Sequence, residues 1–201
     1  MSRYTGPKGR INRRLGDLVM ENSGAIKALN RRPFPPGAHG HGRRKQTEYG
    51  DGLKEKQKVR FFYGLTDTQV RNLFKKSKRI KGNTGENLMT ALERRVDNVV
   101  RVAGFARTRA QARQFVNHGH WCLNGRKIDI PSIQLKVGDE LQVRARNKKI
   151  YEDVMASAGG APGGWLEVNH EERTIKVLAL PAIDDVSLRP NLGKLVEFLS
   201  R

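Results

Sequence analysis

The stretch Leu92-Glu93-Arg94-Arg95-Val96-Asp97-Asn98-Val99-Val100, continued by Arg101-Val102-Ala103-Gly104-Phe105-Ala106-Arg107-Thr108-Arg109-Ala110-Gln111-Ala112-Arg113-Gln114-Phe115-Val116, decides the fold. With Leu88 in front of it, Leu92, Val96, Val99, Val100 and Ala103 recur at steps of three and four. That spacing predicts one helix with an apolar face, and with Arg94, Asp97, Asn98 and Arg101 on the opposite face. Gly104 stops it. Thr108 and Gln111 have the spacing of a capping box and open a second helix, which buries Ala112, Phe115 and Val116 until Gly119 ends it. Arg109 and Arg113 are four residues apart, so they project together, and Asn117 continues their face.

Downstream, Trp121-Cys122-Leu123, Asn124-Gly125 and Arg126-Lys127-Ile128 predict a tight hairpin, because Asn-Gly supplies the positive φ angles of a type I′ turn. Lys136-Val137-Gly138-Asp139 is a second turn and feeds the alternating strand Leu141–Val143. The block from Leu88 to Arg146 therefore reads as two short helices on a small antiparallel sheet. Beyond it come a glycine-rich loop at Gly159–Gly164, strand-like Trp165–Val168 and Thr174–Val177, and a terminal helix capped by Asn191. That helix is expected to fold back on the N-terminal part. Trp121 and Trp165 belong in the core, as apolar aromatics beside strands usually do.

Upstream, residues 1–50 are rich in glycine and proline, as in Pro33-Phe34-Pro35-Pro36-Gly37, and carry the cationic clusters Arg13-Arg14, Arg31-Arg32 and Arg43-Arg44-Lys45. Few periodic apolar positions intervene, so the segment reads as an irregular, basic, extended arm. From Asp51 the pattern turns helical, with Leu53, Val59, Phe62 and Tyr63. Thr66 and Gln69 then box the start of a further helix through Val70, Leu73 and Phe74. Lys81–Gly85 is a turn-rich joint.

The 201 residues hold 39 Lys and Arg against 20 Asp and Glu, a net charge of +19. Solubility asks for a net charge of only about 2–8, so the excess points to a polyanion, which relieves the self-repulsion of so basic a domain. No run is long and apolar enough to span a membrane. A lone cysteine, Cys122, forms no internal disulfide, and the reading is a soluble protein of the reducing cytoplasm. His118 and His120 straddle a helix-ending glycine, and His39 and His41 lie in a glycine-rich loop, so neither pair has the geometry of a metal site. Asp97 is read as ordering neighbouring arginines, and Asp129 as shaping the turn to Pro131, rather than as catalytic acids. An arginine face on a helix pair beside a basic hairpin binds phosphates by charge and forked hydrogen bonds. RNA suits it better than DNA, since neither helix is long and exposed enough to read a major groove.

Leu92–Val100, Gly104–Gln114, His118-Gly119-His120, Asn124-Gly125, Asp129-Ile130-Pro131-Ser132 and Lys136–Asp139, in that order, closely resemble the RNA-binding module named after small-subunit ribosomal protein four. The flanks extend the resemblance to the bacterial-type members of that ribosomal protein family. They are Arg3-Tyr4-Thr5-Gly6-Pro7-Lys8, Arg31–Gly37 with His39-Gly40, Tyr49-Gly50, Glu55–Arg60, Tyr63-Gly64, Trp165–Val168 and Leu195–Arg201. The reading is an α+β fold with an extended basic arm (1–50), a helical N-terminal domain (51–90), the S4-type module (91–150) that the resemblance identifies, and a C-terminal extension of strands and a helix (151–201). The resemblance implies a ribosome-bound, non-enzymatic primary binder of small-subunit ribosomal RNA. Such a protein nucleates assembly of the subunit body, contacts the fifth small-subunit protein at an interface tied to decoding accuracy, and lies near the messenger RNA entry channel. Some members repress their own operon.

Many members of that family carry a four-cysteine zinc site soon after the Tyr-Thr-Gly-Pro-Lys start. Here the stretch reads Gly9-Arg10-Ile11-Asn12-Arg13-Arg14, with no cysteine before Cys122, so the resemblance is to members without the metal. No cofactor and no small-molecule substrate are expected. The expected RNA contacts are Arg94, Arg101, Arg107, Arg109, Arg113 and Lys127 in the module. In the N-terminal part they are Arg3, Arg13, Arg14, Arg31, Arg32, Arg43, Arg44, Lys54 and Arg60. Their expected role is phosphate neutralisation and positioning. An RNA-modifying enzyme using the module as a handle is the competing class, and a regulator that binds messenger RNA is a third.

Overall fold

The structure, a computed structural model, describes residues 4–42, 45, 47–155 and 162–201. Two compact units divide it: one comprises the residues up to Leu88 together with Leu188–Arg201, the other Met89–Ser187.

The first unit is helical: α1 (Lys8–Leu15), α2 (Ser23–Arg31), α3 (Glu48–Phe62), α4 (Asp67–Ser77), the start of α5 (Thr84–Glu93), and the terminal helix α9 (Leu192–Ser200). Two short helices thus interrupt the extended arm expected before residue 50. The glycines that signalled breaks serve packing and capping instead. A Cβ on Gly9 would lie 2.9 Å from the Cβ of Ala28, so α1 and α2 touch where only a hydrogen fits. Gly16 takes the left-handed C-cap conformation (φ 69°) and closes α1. Fully buried Asn12 then fixes the next loop: its Oδ1 accepts from the Met20 amide at 2.7 Å and its Nδ2 donates to the Met20 carbonyl at 3.0 Å.

Thr47 caps α3 through the Gly50 amide, three residues earlier than the apolar pattern indicated. The expected box at α4 forms, with Gln69 N–H to Thr66 Oγ1 at 3.3 Å and Thr66 N–H to Gln69 Oε1 at 3.0 Å. Asn191 caps α9 through the Lys194 amide. As anticipated, α9 returns to the N-terminal part. A Cβ on Gly52 of α3 would come within 3.0 Å of Phe198, and Lys194 pairs with Asp51 at 2.8 Å.

The second unit sets α6 (Val96–Val102), α7 (Arg109–Asn117) and α8 (Lys148–Met155) with a five-stranded antiparallel sheet. Its strands are β1 (Trp121–Leu123), β2 (Arg126–Ile128), β3 (Glu140–Val143), β4 (Leu166–Asn169) and β5 (Thr174–Val177), in the order β2-β1-β3-β5-β4. The Asn124-Gly125 turn takes positive φ at both positions, 48° and 79°, and pairs Trp121 with Ile128 and Leu123 with Arg126. Alternation along β3 buries Leu141 and Val143 and exposes Glu140 and Gln142. The core gathers Val96, Val99, Val100, Phe105, Ala112, Val116, Trp121, Leu141, Tyr151, Trp165 and Ile175. Both tryptophans sit in it, as expected.

Two expectations change here. The single helix read from Leu88 to Ala103 is two, α5 and α6, broken at Arg94-Arg95. Arg95 is extended (φ −67°, ψ 137°) and bridges Gln134, while the Leu135 amide donates to the Arg94 carbonyl at 2.9 Å and the Val96 amide to the Ile133 carbonyl at 3.0 Å. The apolar rhythm runs through the break unaltered, because Leu92 before it and Val96, Val99 and Val100 after it are all fully buried. The stretch 151–201 is divided as well: β4 and β5 complete the second unit's sheet, and α9 belongs to the first unit. The glycine-rich loop expected at Gly159–Gly164 falls partly outside the described residues.

Leu141 is fully buried and pairs with both Leu123 and Ile175. Leu141→Ala should lower unfolding stability by about 2–5 kcal/mol, read as a reduced midpoint in urea with an unchanged denaturant slope.

Candidate nucleic-acid interface

The helix pair carries a buried polar layer beneath its cations. Thr108 starts α7 by accepting from the Gln111 amide at 3.3 Å, while the Gln111 side chain accepts from the Arg107 amide at 2.8 Å, one residue earlier than a capping box places it. Asp97 and Asn98, expected on an outward polar face, are only 5% and 2% exposed. The break before α6 turns them inward, where they serve the neighbouring arginines. Asp97 takes a fork from Arg95, Nε at 3.0 Å and Nη2 at 2.7 Å, with Arg113 Nη1 at 3.6 Å. Asn98 accepts from Arg109 Nε at 2.8 Å and donates to both the carbonyl and the carboxylate of Glu93, a side chain itself buried.

Such pairing is obligatory, since a charge taken out of water without a partner costs several kcal/mol. Burial lowers the pKa of the Arg113 guanidinium; Asp97 opposes that shift and Arg95 adds to it. Arg109 and Arg113 therefore do project together, but onto α6 rather than into solvent. Arg94 is likewise engaged, its Nε donating to the Leu135 carbonyl at 2.7 Å. Arg101 is half-buried on α6.

The exposed cations lie along the margins. Arg107 is exposed in the turn before α7, and Arg126 and Lys127 are exposed on β2. The Lys127 chain crosses the Gly119 turn (φ 66°), where a Cβ would come within 2.5 Å of its Cε. Arg144 Nη1 donates to the Gly119 carbonyl at 3.3 Å, and Arg146 is exposed nearby. His118 is exposed, whereas His120 is buried against Phe115, their rings 5.2 Å apart. Burial first, then the charges of His118, Arg146 and Arg144, hold His120 below the ordinary imidazole range. Arg126, Arg144 and Arg146 extend this margin beyond the cations expected from the sequence. The alternation of β3 carries the signal, because an outward Glu140 and Gln142 place Arg144 on the same side.

In the first unit the expected cations separate into two kinds. Arg14, Arg31, Arg32 and Lys54 are exposed. Arg60 is half-buried, its guanidinium 5.1 Å from the Phe61 ring centroid. Arg13 turns inward, its Nε donating at 3.0 Å to the carbonyls of both Arg32 and Phe34. Arg3, Arg43 and Arg44 lie outside the described residues. Among the described residues, no group of His, Cys, Asp and Glu could hold a metal ion, and no helix is long and apolar enough to cross a membrane.

A helix pair keyed together by buried charges, laid on a small antiparallel sheet and edged with arginine and lysine, has the chemistry of a polyanion-binding module, and the other unit is a basic helical domain. Comparison with known proteins gives that class a lineage. Residues 94–141 match the S4 domain, and residues 3–93 match the family described as the ribosomal protein S4/S9 N-terminal domain. The chain is 47% identical to small ribosomal subunit protein uS4 of Rhodopirellula baltica, 44% to that of Rubrobacter xylanophilus and 44% to that of Chloroflexus aurantiacus, each over the full length of both chains. The chain belongs to the uS4 family.

Replacing Asp97 by Asn leaves Arg95, which is 3% exposed, without its counter-charge. We expect Asp97→Asn to cost about 3–5 kcal/mol of unfolding stability. The double variant Arg95→Met, Asp97→Leu should recover most of it. A single-variant loss below about 1 kcal/mol in urea titrations would show that the pair does not hold the break.

Proposed function

We propose that this chain is a structural constituent of the small ribosomal subunit that binds small-subunit ribosomal RNA through basic surfaces on both units. The observation that carries the reading is the end-to-end likeness to proteins named for that subunit, in a chain of charge +19. The exposed cations Arg107 and Lys127 of the second unit, and Arg14, Arg31, Arg32 and Lys54 of the first, neutralise phosphates. Arg109 and Arg113 act from beneath by fixing the helix pair. The work of these groups is electrostatic, and the protein is not an enzyme.

The finer reading is a primary binder that recognises folded RNA early and nucleates assembly of the subunit body, in the cytoplasm, near the path of messenger RNA. A contact with the fifth small-subunit protein, and through it an influence on accuracy, draws support from exposed apolar side chains of the second unit. Val137, Leu178, Leu180 and Ile183 are large, apolar and exposed, and the Gly138 amide, bonded to the Val177 carbonyl at 2.9 Å, draws the first two together. Exposed apolar side chains suit a protein neighbour better than phosphates.

Each phosphate contact contributes roughly 0.7–0.9 to the slope of log affinity against log salt. The double variant Arg107→Ala, Lys127→Ala should therefore bind small-subunit ribosomal RNA more weakly, with a slope reduced by about 1.4–1.8. Filter binding of the full chain between low and moderate salt measures both quantities. An unchanged slope would remove these two side chains from the interface.

A further inference from the structure

The segment after α2 lacks the means to hold itself. Pro33, Pro35 and Pro36 have no amide hydrogen, so the carbonyls around them have few backbone donors within reach. Arg13, on α1, supplies them. Its Nε donates to Arg32 O and Phe34 O, its Nη2 reaches Pro35 O at 3.5 Å, and its guanidinium carbon lies 5.2 Å from the centroid of the Phe34 ring. That ring in turn meets His41, with centroids 3.8 Å apart. The loop closes so tightly that a Cβ on Gly40 would come within 2.2 Å of the Pro35 carbonyl oxygen. The Gly40 amide bonds Gly37 O, and the Gly42 amide bonds His39 O. The segment 32–42 is thus a folded loop on a guanidinium peg, with Arg31 and Arg32 exposed at its root.

We propose that Arg13 is a positioning residue: it fixes the loop 32–42 and so presents the neighbouring exposed arginines in a set geometry before RNA arrives. The second half of this statement rests on the RNA-binding reading above. The chemistry asks for arginine in particular. A planar fork serves several carbonyls and a ring face at once, whereas a lysine ammonium is a point charge on a flexible stem. A phosphate contact at this position would instead tolerate lysine, which binds phosphates as a point charge.

Full-length native protein, Arg13→Ala, Arg13→Lys and, as a charge-loss control, Arg14→Ala separate the two roles. Amide hydrogen exchange reports on the loop, salt-dependent binding to small-subunit ribosomal RNA reports on function, and circular dichroism verifies folding. Arg13→Lys should exchange the Gly40 and Gly42 amides about tenfold faster and bind about tenfold more weakly, as when the competent fraction drops to a tenth, with the native salt slope. Arg13→Ala should match it in exchange. Arg14→Ala should lower the slope and leave exchange unchanged. Native exchange in both Arg13 variants, or native affinity in Arg13→Lys, overturns the proposal. Failure of the native protein itself to bind this RNA would sink the functional reading, and exchange alone then decides whether Arg13 is the peg.

Discussion

Much of the second unit hangs on one buried carboxylate. The break between α5 and α6 brings the backbone at Arg94–Val96 alongside Ile133–Leu135, and in doing so it carries the Arg95 side chain into the interior. A guanidinium there is tolerable only with a counter-charge of matching geometry. Asp97, two residues on, supplies it in a fork, and the same carboxylate lies 3.6 Å from Arg113 on α7. Asn98 adds a second link, joining Glu93 of α5 to Arg109 of α7. Three helices are therefore keyed by directional polar contacts above a sheet that supplies the apolar floor. Apolar packing alone would allow the helices to slide; the links from Asp97 to Arg113 and from Asn98 to Arg109 and Glu93 fix their register.

How much of this the sequence shows depends on how local the demand is. The Asn124-Gly125 hairpin is legible because two positive φ angles are a requirement of two adjacent residues. The caps at Thr66, Thr108 and Asn191 are legible for the same reason, each being settled within three residues. The α5–α6 break is not, because apolar residues on either side keep the helical rhythm while the cause, a pairing with Gln134, lies some forty residues away. α1 and α2 are hidden by glycines that read as breakers. Only the contact with Ala28 shows Gly9 to be a packing residue.

The site is legible in its charge and less so in its allocation. Arginine on a helix suggests an outward cation, yet Arg95 and Arg109 are almost fully buried, and Arg13 is spent on backbone carbonyls. Asp97 and Asn98 carry the same ambiguity, since polar residues on an amphipathic helix usually face water. Their burial follows from their partners, and a helical wheel contains no partners. Half-buried Arg144, just past β3, is legible in the converse way, since the strand's alternation puts it on the side of Glu140 and Gln142.

A net charge of +19 therefore overstates the surface available to a polyanion, and the difference has a physical use. Guanidinium is the cation best suited to both tasks, because it keeps its charge in nearly any surroundings and offers five donors in a fixed plane. Turned inward, it ties helices and loops through carboxylates and carbonyls. Turned outward, it meets phosphates. The inward set at Arg13, Arg95 and Arg109 holds the backbone that carries Arg14, Arg31, Arg32 and Arg107. A cationic array held this way loses less conformational freedom on meeting a folded polyanion than the same charges on a loose chain. More of the electrostatic attraction then appears as affinity, and shape enters recognition along with charge.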